Sequence, residues 1–212
     1  MIWCRMLKHM SNQNEIIRME AETLATIGDA YYRGLGVEQN YGEALKFYQK
    51  AAGMGNARSL SRIGLCHEQG FGTEKDIEAA FSCYEDASEQ GDVFGMIKLG
   101  DFYREGIPHL VQKDVQTASE YYLDALEQVQ YGRDLWYAPD VYLRVAGFLK
   151  DGIVTEKNLH SAYDFYVSAA EGFMNRIENG DLDCADSLDL ADRKSTRLNS
   201  SHPTTSRMPS SA

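Results

Sequence analysis

One apolar spacing recurs four times along the chain. Residues at i, i+3 and i+7 repeat as Leu24, Ile27, Tyr31; Leu60, Ile63, His67; Met96, Leu99, Tyr103; and Tyr142, Val145, Leu149. That spacing lays a stripe down one side of a helix, so each set predicts a helix A. A small residue sits beside each stripe, at Gly28, Gly64, Gly100 and Ala146, where a second helix can approach closely. Glycine inside a helix costs about 1 kcal/mol, so its return points to packing. Helix A is expected to stop at Gly34, Gly70, Gly106 and Gly152, because glycine enters the left-handed conformation without a Cβ clash. Asn40, Asp76, Asp114 and Asn158 follow as residue types that cap helix starts. From each cap a helix B is predicted, with a small–large–small inner face: Ala44, Tyr48, Ala51; Ala80, Tyr84, Ala87; Ala118, Tyr122, Ala125; Ala162, Tyr166, Ala169.

The first three small residues lie 36 residues apart. A fixed period of this size with two helices per unit is the mark of an α-solenoid. The expected fold is therefore all-α, a solenoid of antiparallel helix pairs with no sheet. Residues 1–18 form an N-terminal segment without clear period before about residue 13, read as the end of a truncated repeat. Residues 19–172 hold four repeats. Residues 173–191 are an acidic, truncated start of a next unit. Between the third and fourth repeats, VQYGRDLWYAPD adds about eight residues. An insertion in a solenoid maps to a loop on one face, so Trp136 and Tyr137 are candidate partner contacts, with packing back onto the A helices as the other reading.

These residues resemble the Sel1-like repeat family, relatives of the tetratricopeptide repeat. The first repeat carries the resemblance through Gly28, Tyr31, Gly34-Leu35-Gly36-Val37, Ala44, Phe47-Tyr48 and Lys50-Ala51-Ala52, and the second through Gly64, Gly70, Gly72, Asp76, Ala80, Tyr84 and Gly91. The resemblance implies a superhelical adaptor or scaffold that holds a partner protein in its concave groove, without enzymatic activity of its own. The alternative is a substrate-recruiting or regulatory repeat region of a larger enzyme or signalling protein.

Residues 192–202, DRKSTRLNSSH, resemble a translated Illumina-type sequencing adapter, and SRMPSSA at the end resembles its downstream arm. On that reading residues 192–212 are an artefact, expected to be disordered, and the chain is a piece of a longer protein.

Composition narrows the partners. A net charge of −11 argues against non-specific nucleic-acid binding. No apolar run reaches the length of a membrane span. Cys4, Cys66, Cys83 and Cys184 fall at no recurring spacing, which favours a reducing, cytoplasmic setting, with export the other case if a signal peptide precedes the chain. Cys66, His67 and Cys83 share one repeat, but His67 and Cys83 stand at positions held elsewhere by core side chains, so no metal or other cofactor is expected, nor a small-molecule ligand. Just before the small residue of each helix A lie Thr26, Arg62, Lys98 and Arg144. Three basic residues recurring in an acidic chain make Arg62, Lys98 and Arg144 a candidate ladder for an acidic peptide.

Overall fold

The computed structural model describes residues 2–153 and 156–201. Its described helices are α1 (Ile2–Arg33), α2 (Tyr41–Gly53), α3 (Ala57–Gln69), α4 (Ile77–Glu89), α5 (Val93–Glu105), α6 (Val115–Gln130), α7 (Ala138–Asp151), α8 (Leu159–Glu178) and α9 (Ala185–Ser201). They form an all-α repeat fold of helix pairs, with α1 packed on α2, α3 on α4 and α7 on α8. Two compact units divide the chain, Met1–Leu99 with Pro108–Leu110 and Gly100–Ile107 with Val111–Ala212.

The punctuation read from the sequence is present at each repeat. Asn40 accepts from the Glu43 amide, Asp76 from Ala79, Asp114 from Gln116 and Thr117, and Asn158 from Ser161. Each of these side chains satisfies a helix-start donor that has no partner within the helix. Gly34, Gly70, Gly106 and Gly152 all have φ near +70°, between 69° and 77°.

The recurring glycines of helix A have a steric task. A Cβ built at Gly28 would stand 2.6 Å from the Tyr48 ring, and one at Gly64 would stand 2.8 Å from Tyr84. Gly100 meets Tyr122 in the same way. The tyrosine of each helix B therefore lies flat against the backbone of its helix A and is fully buried. The flanking alanines, all 0% exposed, leave room for it. A second aromatic layer follows where the sequence allows it: Tyr31 stacks on Phe47 and Tyr103 on Tyr121, each pair with centroids 5.6 Å apart.

Three departures from the sequence reading appear. The first helix begins at Ile2, well before residue 13. The longer turn of the third repeat closes on an isolated antiparallel bridge, Ile107 to Val111, with His109 at φ 67°. The third departure corrects the expected disorder over Asp192–Ser201, which is helical and packed as part of α9. Its Leu188, Ala191, Ser195 and Leu198 repeat at helical spacing and face α8, with Ala191 fully buried. The serine at the third position hid this stripe from a hydropathy reading. Residues 202–212 lie outside the described residues.

Candidate partner-binding site

Each buried tyrosine of the first three repeats ends on a carboxylate of its own helix A. Tyr48 donates to Asp29 at 2.8 Å, Tyr84 to Glu68 at 2.7 Å and Tyr122 to Asp101 at 2.6 Å. Asp29 and Asp101 stand one residue after the small position and Glu68 four after it. Positions three apart share a helix face, so either register brings a carboxylate to the same place.

The candidate ladder residues close these units from the next helix A. Arg62 lies 3.6 Å from Asp29, Lys98 bonds Glu68 at 2.8 Å, and Arg144 forks onto both oxygens of Asp101 at 2.9 and 2.5 Å. Arg58 also pairs with Asp29. Lys98 and Arg144 lie over the rings of Tyr84 and Tyr122, at 5.8 and 6.0 Å. Only 11%, 18% and 19% of the Arg62, Lys98 and Arg144 side chains remain exposed. Their charge is directed at carboxylates of the preceding repeat, which is a different arrangement from a row of cations offered to a partner. Burial and the facing carboxylates push all three tyrosine hydroxyls far above their usual range. Burial alone would raise the Asp101 carboxyl too, but the hydrogen bonds from Arg144 and Tyr122 outweigh it and hold the carboxyl below the usual range.

The insertion supplies a second feature. Tyr137 is 7% exposed, whereas Trp136 is 37% and Leu135 60% exposed. Trp136 rests on Arg176, whose guanidinium carbon lies 5.0 Å from the ring centroid. Arg176 is itself fixed by Asp140 at 2.5 Å and Asp181 at 2.7 Å. Pro139 seats against α8 at Gly172, where a Cβ would come 3.1 Å from the proline Cβ. Between these elements lies a cavity of about 350 Å³ lined by Leu135, Trp136, Tyr142 and the amides Asn175 and Asn179. Arg176 was not singled out in the sequence, since nothing local marks it as the platform for a tryptophan 40 residues earlier.

The family model described as Sel1 repeat matches residues 24–56, 57–92, 93–128 and 139–172. The chain belongs to the Sel1 repeat family. A Sel1 repeat protein from Oxalobacter formigenes is 27% identical, with a TM-score of 0.59, over 85% of this chain and 72% of that one. The antigen c5321 of uropathogenic Escherichia coli, displaying an SLR fold, is 21% identical with a TM-score of 0.53 and shows the fold alone; this chain covers 44% of its length. No curated protein matches.

The fourth Sel1 repeat departs from the first three. One and four residues after Ala146 stand Gly147 and Lys150, so neither register supplies a carboxylate. The Tyr166 hydroxyl is buried and has no protein hydrogen-bond partner among the described residues. Burial, with the charge of Asp151 behind it, pushes that phenol up to about 12. Lys194 of α9 nevertheless sits over the Tyr166 ring at 5.5 Å, as Lys98 and Arg144 sit over theirs.

In the second Sel1 repeat, Cys66 is buried among Tyr48, Ile63 and Leu45, and burial raises its thiol to about 11. A thiol held protonated makes a poor metal ligand or nucleophile. Among the described residues no group of three or more His, Cys, Asp or Glu is placed to hold a metal ion, and no helix is long and apolar enough to cross a membrane.

Proposed function

We propose that this chain is an adaptor or scaffold that engages a partner protein at the insertion between its third and fourth Sel1 repeats. Sel1 repeats form helical arrays that generally serve protein–protein interaction. The supporting observation is Trp136, a large ring held rigidly on Arg176 at the edge of an apolar cavity with amides in its wall. Tryptophan is among the residue types enriched as interface anchors, and the surrounding amides can read a peptide backbone. The cations Arg62, Lys98 and Arg144 contribute by holding successive repeats in register.

The test is affinity capture with the intact chain and with Trp136→Ala. A partner engaged at this cavity is retained by the parent and weakened at least about tenfold by the variant, with the circular dichroism unchanged. A partner held equally by both moves the contact elsewhere on the array.

A further inference from the structure

The cavity at the insertion carries hydrogen-bonding groups that the chain itself does not use. Neither the Trp136 indole N–H nor the Tyr142 hydroxyl has a hydrogen-bond partner among the described residues. Asn179 donates its side-chain amide to the Asn175 backbone carbonyl at 2.8 Å and to the Asn175 side-chain oxygen at 2.6 Å. That arrangement leaves the Asn175 NH2 group as a donor and Asn179 Oδ1 as an acceptor. The exposed Ser168 hydroxyl, also in the wall, serves either way. An indole can only donate, so donors predominate around the cavity.

The surfaces between these groups are rings and aliphatic carbon. Trp136 lies on the Arg176 guanidinium, and Tyr142, Leu135 and the buried Pro139 complete the apolar wall. Arg176 is the one charged residue of the lining, and it is already paired with Asp140 and Asp181. The cavity therefore has little to attract a charged side chain. An ordinary extended segment brings an N–H at every residue, and each one buried here requires an acceptor. A proline-rich segment brings no N–H at its prolines. In the polyproline II conformation its carbonyls stand outward as acceptors and its rings pack on aromatic faces. That conformation also forms before binding, so little freedom is lost on docking.

The border of the cavity adds a charge preference. From residue 173 to 191 the chain carries Arg176 as its sole base, while Glu178, Asp183 and Asp186 are exposed. A basic residue complements such a border. We infer that the cavity beside Trp136 binds a proline-rich segment of a partner protein, in the polyproline II conformation, with a basic residue at its flank. A proline ring lies against Trp136, and Tyr142 and Asn175 donate to the segment's carbonyls. This inference rests on the reading of Trp136 as the partner contact and names the chemistry of what it holds.

The probe is arginine-flanked octaproline titrated into the intact chain, with arginine-flanked octaserine as control. The readout is the NMR signal of the Trp136 indole N–H, assigned by its loss in Trp136→Ala. A saturable shift is expected with the proline peptide alone. By calorimetry, Trp136→Ala should weaken binding at least about tenfold. Tyr142→Phe keeps the ring and removes one donor, so it should weaken binding about fivefold, the scale of one neutral hydrogen bond. It also keeps the test valid if Trp136→Ala fails to fold. Glutamate flanks in place of arginine should bind more weakly, with the difference shrinking at high salt. No shift, an equal response to octaserine, or unchanged affinity in both variants would overturn the site, and equal affinity for glutamate flanks would overturn its charge preference. If octaproline fails to bind while a protein is captured through Trp136, the contact stands and the proline class falls. If both fail, neither stands.

Discussion

The third and fourth repeats share one helix-pair design and differ in a single polar unit. In the third, Gly100 admits the Tyr122 ring, Asp101 accepts its hydroxyl, and Arg144 closes the group from the next helix A. In the fourth, Ala146 replaces the glycine, Gly147 replaces the acid, and the Tyr166 hydroxyl has no hydrogen-bond partner among the described residues. Both tyrosines are almost fully buried, at 1% and 0% exposure, so apolar packing suffices to hold the ring. The polar unit does something else: it ties one repeat to the next through a carboxylate shared by a tyrosine and a cation. Repeat arrays draw stability from such neighbour-to-neighbour terms, and the comparison separates that term from the burial of the ring.

The comparison breaks most sharply at Asp101. Asp101→Ala leaves Arg144, mostly buried, with the Asp140 carboxylate at 3.9 Å and the Asp140 carbonyl at 3.0 Å. Removing the better partner of a buried charge costs up to roughly 3 kcal/mol, read as a lower urea midpoint. Lys194→Ala in α9, which breaks no ion pair among the described residues, should change stability by less than about 0.5 kcal/mol.

A smaller contrast is expected between the tyrosines. Tyr122→Phe and Tyr84→Phe each remove a donor from a carboxylate and should cost about 1–2 kcal/mol. Tyr166→Phe should be neutral or slightly stabilising, because the hydroxyl it removes is buried without an acceptor among the described residues. Equal losses at Tyr122 and Tyr166 in thermal unfolding would show that ring packing, and not the acid, distinguishes the repeats.

The small position gives a third contrast. Gly64→Ala places a methyl 2.8 Å from the Tyr84 ring. Overpacking of this kind costs about 1–3 kcal/mol, and the gain in helix propensity returns only about 1. Ala146→Gly should lose about 1 kcal/mol of propensity with no steric gain, so glycine and alanine exchange with a net loss in either direction.

The mildest effect is on pH dependence. The hydrogen bonds from Arg144 and Tyr122 place the folded Asp101 pKa below its unfolded value of about 3.9. Its contribution is therefore complete above that unfolded value and is lost as pH falls through the folded one. An acid titration of stability should lose this component in Asp101→Asn, whose curve runs flatter below about pH 4.

The helix pairs, the caps of the B helices and the glycine stops of the A helices were legible in residues 19–172, because each depends on contacts within a few residues, whereas the Asn56 cap of α3 was not read. A 3.6-residue stripe, an αL glycine and an Asn or Asp cap are local physics, and their recurrence fixes the repeat. Tyr48, Tyr84, Tyr122 and Tyr166 were readable as one buried set for the same reason. The role of Arg62, Lys98 and Arg144 was not readable, since their partners Asp29, Glu68 and Asp101 lie 30 to 43 residues away. Charge alone cannot tell a cation aimed at a partner from one aimed at the preceding repeat. The helix through Ser201 was missed on similar grounds, because its stripe is completed by Ser195 and is recognisable only against α8. Tertiary structure alone also showed that Gly147 leaves Tyr166 without an acid. The sequence determined which residues form helices and which faces they bury, because those preferences act over a few residues. Which charges meet was decided in three dimensions, because long-range pairing depends on where packing brings the helices together.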